Sequence, residues 1–271
     1  TGDMQLFGLI QSLDTGSDIT ITSQSQIFVD GFIEAQDQLT IIGGSDPSGA
    51  GIIVQPLILQ TDVDGNLILV DGAPVRLGGG TLATGLGGDI ALTSVDDIVI
   101  HGVLGDVSDV AGQITAKPAS ILATSTAGAI SITGRVDVQQ TLDFGALEIN
   151  IFSGSQVKAR GVDASILPQA DLLYVAYANG TAGLLQSTKN IHLLGNKIRL
   201  DGQVITTQAD ALTLFNAVEE LVITGQMIAS NNIEINTGVD RSWTLAKLTS
   251  HAINLAELSV GHLIILDSGA L

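Results

Sequence analysis

The amino-acid sequence predicts an all-β chain wound as a right-handed parallel β-helix, a β-solenoid with coils of about 20 residues and loop or hairpin insertions. Three observations lead there. First, a phrase of the form apolar-x-apolar-x-Gly-x-apolar recurs: Ile27-Phe-Val29-Asp-Gly31-Phe-Ile33, Ile98-Val-Ile100-His-Gly102-Val-Leu104, Ile198-Arg-Leu200-Asp-Gly202-Gln-Val204 and Leu221-Val-Ile223-Thr-Gly225-Gln-Met227. Second, a shorter alternating run precedes each phrase at a near-constant period, 20 residues from Ile19 to Leu39 and 21 from Ile191 to Leu212 and from Leu212 to Ile233. Third, 45% of the chain is apolar but only 3% aromatic, which suits a narrow interior filled by Ile, Leu, Val and Ala.

Alternation of period two is the signature of a strand buried on one face. A unit of this size cannot bury its apolar face alone, so it stacks on its neighbour. At a strand spacing of about 4.8 Å, some 10 to 12 coils give a rod on the order of 50 Å long. A sandwich or barrel of antiparallel hairpins also has short alternating strands, but it needs neither a constant period nor a glycine at one fixed phase. The 32 glycines against 5 prolines point to tight corners, where glycine reaches positive φ without a steric penalty.

Taken in order, Asp18-Ile19-Thr20-Ile21 and Ile27 to Ile33 make the first clear unit. The register then breaks over 43–88, where Leu57-Ile-Leu59 and Leu67-Ile-Leu69-Val70 flank Asp62-Val-Asp-Gly65-Asn66. Asp-Gly is a strong turn signal, so this stretch reads as a projecting hairpin or an enlarged coil. Asp89-Ile90-Ala91-Leu92 restarts the coil, 105–125 is less regular, and Ala129-Ile130-Ser-Ile132-Thr-Gly134-Arg-Val136 restores it. A second insertion, near 161–189, holds both tyrosines, Tyr174 and Tyr177. Asn190-Ile191-His192-Leu193 and Ala211-Leu212-Thr213-Leu214 open further coils, the latter with Leu212 and Leu214 facing inward. Beyond Ile235 the phrase fades into Trp243-Thr-Leu245, Ile253-Asn-Leu255 and Leu263-Ile-Ile265-Leu266. The whole, 1–271, reads as a single elongated solenoid, and the opening Thr1-Gly2-Asp3 suggests a fragment or repeat unit of a larger protein.

Charge and composition narrow the function. A formal charge of −18 argues against nucleic acid, whose phosphates need clustered Lys and Arg. No apolar run reaches the 18 or so residues of a membrane-spanning helix. With no cysteine there is no disulfide framework, thiolate metal site or cysteine nucleophile. The four histidines are scattered, with no i, i+4 pair of the helical zinc type, and His101 and His192 fall at outward positions. Asp62, Asp64 and Asn66 alternate around Gly65 and offer oxygen ligands for calcium, although the EF-hand spacing is not met and a hairpin turn explains them as well. Asp96, Asp97, Asp106 and Asp109 form a further acidic cluster. Gly78-Gly79-Gly80 lacks the lysine of a phosphate loop.

Specific recognition in a solenoid belongs to its insertions. Tyr174, Tyr177 and Trp243 are the candidate ligand-binding residues, each equally able to serve the core. A polysaccharide lyase or hydrolase is a third, weaker reading, because such enzymes also use β-helices. Two carboxylates facing across a groove are needed for hydrolysis, and nothing in the sequence marks such a pair. The expectation is therefore a non-enzymatic protein without a cofactor other than calcium.

The stretches Ser17 to Ile41, Gly88 to Gly105 and Lys189 to Thr207 resemble the β-helical repeats of filamentous haemagglutinins and other giant bacterial exoproteins. With weaker neighbours the likeness covers about half the chain. It implies a secreted or cell-surface rod of Gram-negative bacteria, acting as adhesin, fibre or stalk, with no catalytic residues to transfer. The expected partners are further solenoid coils, by self-association or in series into a filament or sheath. A host or neighbouring-cell glycan or protein, bound through the insertions, is the alternative.

Overall fold

In a computed structural model the chain is all-β. The structure describes residues 2–44, 50–70, 73–105, 118–161, 164–237, 242–249, 252–256 and 262–265, the last three segments by their backbone alone. Among the described residues twenty-three strands join in one sheet, and every pairing within it is between parallel strands of successive coils. No helix occurs among the described residues. This is a parallel β-solenoid.

Each coil has three faces. Face I begins with Ile19–Thr22 and continues through Gln38–Gly43, Asp89–Ser94 and Ser120–Ser125. Face II holds the strand before the recurring glycine, as in Asp97–Ile100 and Ala129–Ile132, and face III the strand after it, as in Val103–Gly105 and Arg135–Val138. In later coils the corners straighten, so that Thr141–Ile151 and Ser165–Val175 each run through faces I and II, and Thr213–Ala229 runs through all three.

The core is a set of aliphatic ladders parallel to the axis. On face II, Val29, Val54, Ile100, Ile132, Ile151, Val175, Leu200 and Ile223 pair in unbroken succession, and all are buried. Burying each such side chain contributes roughly 1.5–3 kcal/mol, so the stack is held by repetition rather than by any one contact.

One strand departs from the expected register. Leu212 is exposed and Leu214 faces outward, while Thr213, Phe215 and Ala217 point into the core. Ile191 pairs with Thr213, and Leu193 with Phe215. A shift of one residue exchanges the two faces of a strand. Phe215 decides the exchange because it is the largest apolar side chain available, and the buried Thr213 hydroxyl is satisfied by Thr206 at 3.1 Å.

The recurring glycine occupies the corner between faces II and III. Gly31, Gly80, Gly102, Gly134, Gly183, Gly202 and Gly225 have ordinary φ, whereas Gly8 at the same corner of the first coil, and Gly16 and Gly87 at the corner leading to face I, have the positive φ expected of tight corners. The seven with ordinary φ are required by close approach. A Cβ on Gly102 would lie 2.2 Å from the Gly80 carbonyl oxygen, one on Gly134 2.1 Å from that of Gly102, and one on Gly225 2.0 Å from that of Gly202. The coils therefore stack glycine on glycine.

Candidate functional site: the insertion-bearing corner

Both described insertions leave the coil at the same point of the phrase, between the last residue of face II and the corner glycine. Gly80 N–H donates to the Gln55 carbonyl at 2.9 Å, and Gly183 N–H to that of Ala176 at 2.7 Å. Val54-Gln55 with Gly80-Thr81, and Val175-Ala176 with Gly183-Leu184, are thus split copies of Ile100-His101-Gly102-Val103. Neither copy is continuous in the sequence, so the phrase is not legible there until the hydrogen bonds across the insertion are known.

The larger insertion, 56–79, is an arm of short antiparallel pairs: Ile58–Leu59 with Arg76–Gly78, Leu69–Val70 with Ala73–Pro74, and a bridge between Thr61 and Leu67. Asp62, Asp64 and Asn66 form its turn, with Gly65 at φ +85. The Asp62 Oδ1 accepts the Asp64 and Asn66 backbone N–H groups, both at 2.9 Å, and the Asn66 side-chain amide donates to Oδ2 at 3.2 Å. The Asn66 backbone N–H leads the hydrogen bonds that hold the Asp62 carboxyl below its ordinary range. These bonds are a turn's own wiring. Among the described residues no three His, Cys, Asp or Glu side chains come together as a metal site; Asp106 and Asp109 lie outside the described residues.

The smaller insertion is the hairpin Tyr177–Ala178 with Thr181–Ala182, turned by Asn179 at φ 53 and Gly180 at φ 78. Two successive positive φ values match the twist of a tight hairpin. The irregular stretch is thus narrower than 161–189, since Ser165–Val175 and Leu184–Ser187 are regular strands. Tyr177 is 55% exposed on this hairpin.

Tyr174 does a different job. It stands on face II with its hydroxyl donating to Asp201 Oδ2 at 3.2 Å, and the Arg199 guanidinium lies 5.8 Å from its ring centre. Arg199 Nε donates to the same oxygen at 2.8 Å, and the Thr224 hydroxyl donates to Oδ1. Burial and the Asp201 charge raise the Tyr174 phenol. Burial alone would raise Asp201, but the hydrogen bonds from Thr224 and Arg199 and the Arg199 charge together lower it. The Trp243 side chain lies outside the described residues, although its strand, Ser242–Thr249, continues faces II and III.

Between the insertions the corner is a shallow hollow of about 350 Å³. Pro56 and Leu57 bound it on the arm side and Gly154 on the other, over a floor that includes His101, Thr133, Arg135 and Gln156. His101 Nδ1 is 2.6 Å from the Thr133 hydroxyl. Nearby on face III, Asp137 is buried and held by Arg135 at 3.0 Å and Arg160 at 2.6 Å. His192, on face I, shares a 3.1 Å hydrogen bond with Asn216 and is lowered by burial.

At the first coils the arm's return strand faces the body. Leu77, Gly78 and Gly79 line one side of a groove of about 470 Å³ whose other side is Phe7, Gly8, Leu9, Asp30, Gly31 and Phe32. No sequence signal marked this apolar surface, because exposure of alternate positions on a single strand is invisible without the neighbouring coil.

Comparison of the chain with protein-family models, with curated proteins and with solved structures returns no match.

Proposed function

We propose that the chain is a structural solenoid rod of a large secreted or cell-surface bacterial protein, joined end to end or in series into a filament, sheath or stalk. One observation supports this most. The inward side chains of the first coil, Met4, Leu6, Ile10, Ile19 and Ile21, pack on the core but remain partly exposed, whereas their partners one coil on, Ile27, Val29, Ile33, Leu39 and Ile41, are wholly buried. Covering the first coil with another contributes on the order of 1 kcal/mol per side chain, and it also pairs an open strand edge.

Electron microscopy of the native material tests this. Rods or filaments about one coil wide are expected; compact separate particles would overturn it. An adhesive role is the second reading, favoured by the exposed Tyr177 hairpin and the arm at one corner. Alanine substitution of the insertions separates the two, since an adhesin loses its ligand and a structural rod keeps its shape.

A further inference from the structure

We infer that the hollow between the two insertions binds a glycan chain, held against the arm by the C–H faces of its rings and against the corner by its hydroxyls. The inference rests on the adhesive reading above and names the site and the class of ligand.

The two insertions are the walls of a trough. The corner steps from Val54 to Ile100, Ile132, Ile151 and Val175, so the arm and the Tyr177 hairpin leave it four coils apart, about 19 Å at the usual strand spacing. Gly102 and Gly134 stack between them without side chains, which keeps the floor low. The arm presents Pro56 and Leu57 to this space. On the opposite wall Thr181 faces Gly154, with Cγ2 3.7 Å from where a Cβ on that glycine would lie. Tyr177 pairs with Ala182, one position along the hairpin from the pair of Ala178 and Thr181, so its side chain projects from the other side.

The chemistry of the floor selects the ligand. Every backbone N–H of 101–103, 133–135 and 154–156 is already donated within the protein. A peptide that adds itself as a strand needs main-chain donors, and this corner offers none. Recognition therefore falls to side chains. Gln156 is exposed and makes no side-chain hydrogen bond among the described residues, while His101 spends Nδ1 on Thr133 and keeps Nε2. Amide and imidazole each donate or accept, as a sugar hydroxyl does. A wholly apolar ligand would strip water from these groups and leave them unpaired. A sugar ring satisfies both surfaces, setting its C–H face on Pro56 and Leu57 and its hydroxyls on the floor. In a chain with 28 acidic residues, none of the described residues lining the hollow is acidic, and Arg135 gives it a positive edge. Neutral and acidic sugars are both admitted.

Binding of the labelled 271-residue chain to an array of neutral, sialylated and uronate-containing oligosaccharides, printed beside immobilised extracellular matrix proteins, tests the site. Three variants accompany it: Gln156→Ala, the pair His101→Ala with Leu57→Ser, and Tyr177→Ala. Circular dichroism checks the fold of each, and Gln156 and Tyr177 are exposed, so their truncation leaves the coil intact. The expected result is oligosaccharide binding that weakens about tenfold in each of the first two variants and is unchanged in Tyr177→Ala. Oligosaccharide binding that the first two variants leave intact but Tyr177→Ala abolishes overturns the hollow and leaves adhesion to the hairpin. Binding to matrix proteins alone overturns the glycan and leaves the adhesive reading standing. An unaltered chain that binds no spot overturns both.

Discussion

The corner glycines make a quantitative prediction. In Gly134→Ala the new Cβ lies 2.1 Å from the Gly102 oxygen and 2.4 Å from the His101 oxygen, both backbone atoms. Contacts under 3.0 Å are not tolerated, so one coil must move by roughly an ångström from the other. That movement strains the Thr133 and Gly134 N–H bonds to Ile100, at 2.9 and 3.0 Å, and the Arg135 N–H bond to Gly102, at 2.9 Å. Weakening two or three buried backbone bonds costs about 2–4 kcal/mol. Because contacts in a solenoid are between neighbours, the loss is centred on this pair of coils.

Two other glycines calibrate the effect. Gly87 has φ +86 but open space around it, so Gly87→Ala costs only the left-handed strain of about 1–2 kcal/mol. Gly145 has neither constraint, and Gly145→Ala stays within about 0.5 kcal/mol of the parent. Thermal melts followed by circular dichroism should show a fall on the order of 5–15 °C for Gly134→Ala and almost none for Gly145→Ala. Equal melting temperatures for these two would refute close approach as the reason for the phrase. Ser155 is the natural exception, standing where Gly134 and Gly183 stand in the adjoining coils. There the chain enters through a turn with Gly154 at φ +81, and the Ser155 hydroxyl bonds the Phe152 carbonyl.

Two further predictions concern register and pH. Phe215→Ala should cost about 3–5 kcal/mol because the ring is fully buried, whereas Leu214→Ala should cost under about 1 kcal/mol; urea midpoints that reverse this order would restore the register read from the sequence. Asp201→Asn should lose about 1 kcal/mol at neutral pH, a modest value suited to a partly solvated cluster. Since the folded carboxyl is lowered, its stabilisation is present above the unfolded carboxylate range near 3.9 and disappears as pH falls through the folded value. Melts from pH 7 to pH 2 should therefore converge for the two proteins, and a gap that widens in acid would contradict the cluster described.

Periodicity made the coil legible because each inward side chain repeats against its own equivalent, as Ile98 and Ile100 do against Ile130 and Ile132. The glycine phase was legible too, but its cause was not: positive φ and close approach both select glycine, and only the distance to the next coil separates them. Leu212 and Phe215 show where alternation fails, since Ala211-Leu212-Thr213-Leu214 is as good a pattern as its one-residue shift and the choice rests on which ring the core admits. Of the candidate binding residues, Tyr177 emerged exposed and Tyr174 bonded to Asp201. That pairing joins residues 27 positions apart, one coil, and becomes legible only once the register is known. The apolar rim at Phe7 and Leu77 depends on which way the arm leans, which no local pattern encodes.

The acidic composition also has a structural source. Asp18 Oδ1 accepts the Gln38 N–H at 3.1 Å and Asp89 Oδ1 that of Ser120 at 3.0 Å, each bond running from the entry of face I to the entry of the next coil. Asp97 does the same for Ala129 on face II at 2.7 Å, and Asn190 for Leu212 at 2.9 Å. A short side chain with an acceptor oxygen is what this position requires, because the first N–H of a strand lies just beyond the parallel ladder and must find a partner. If that acceptor is the whole requirement, charge is dispensable and Asn190 is the molecule's own demonstration. Asp89→Asn should then melt within a degree or two of the parent, while Asp89→Ala leaves the Ser120 N–H unpaired within the protein and costs about 1 kcal/mol. If Asp89→Asn instead falls as far as Asp89→Ala, the carboxylate acts through its charge, and the aspartates at the coil entries are not backbone braces.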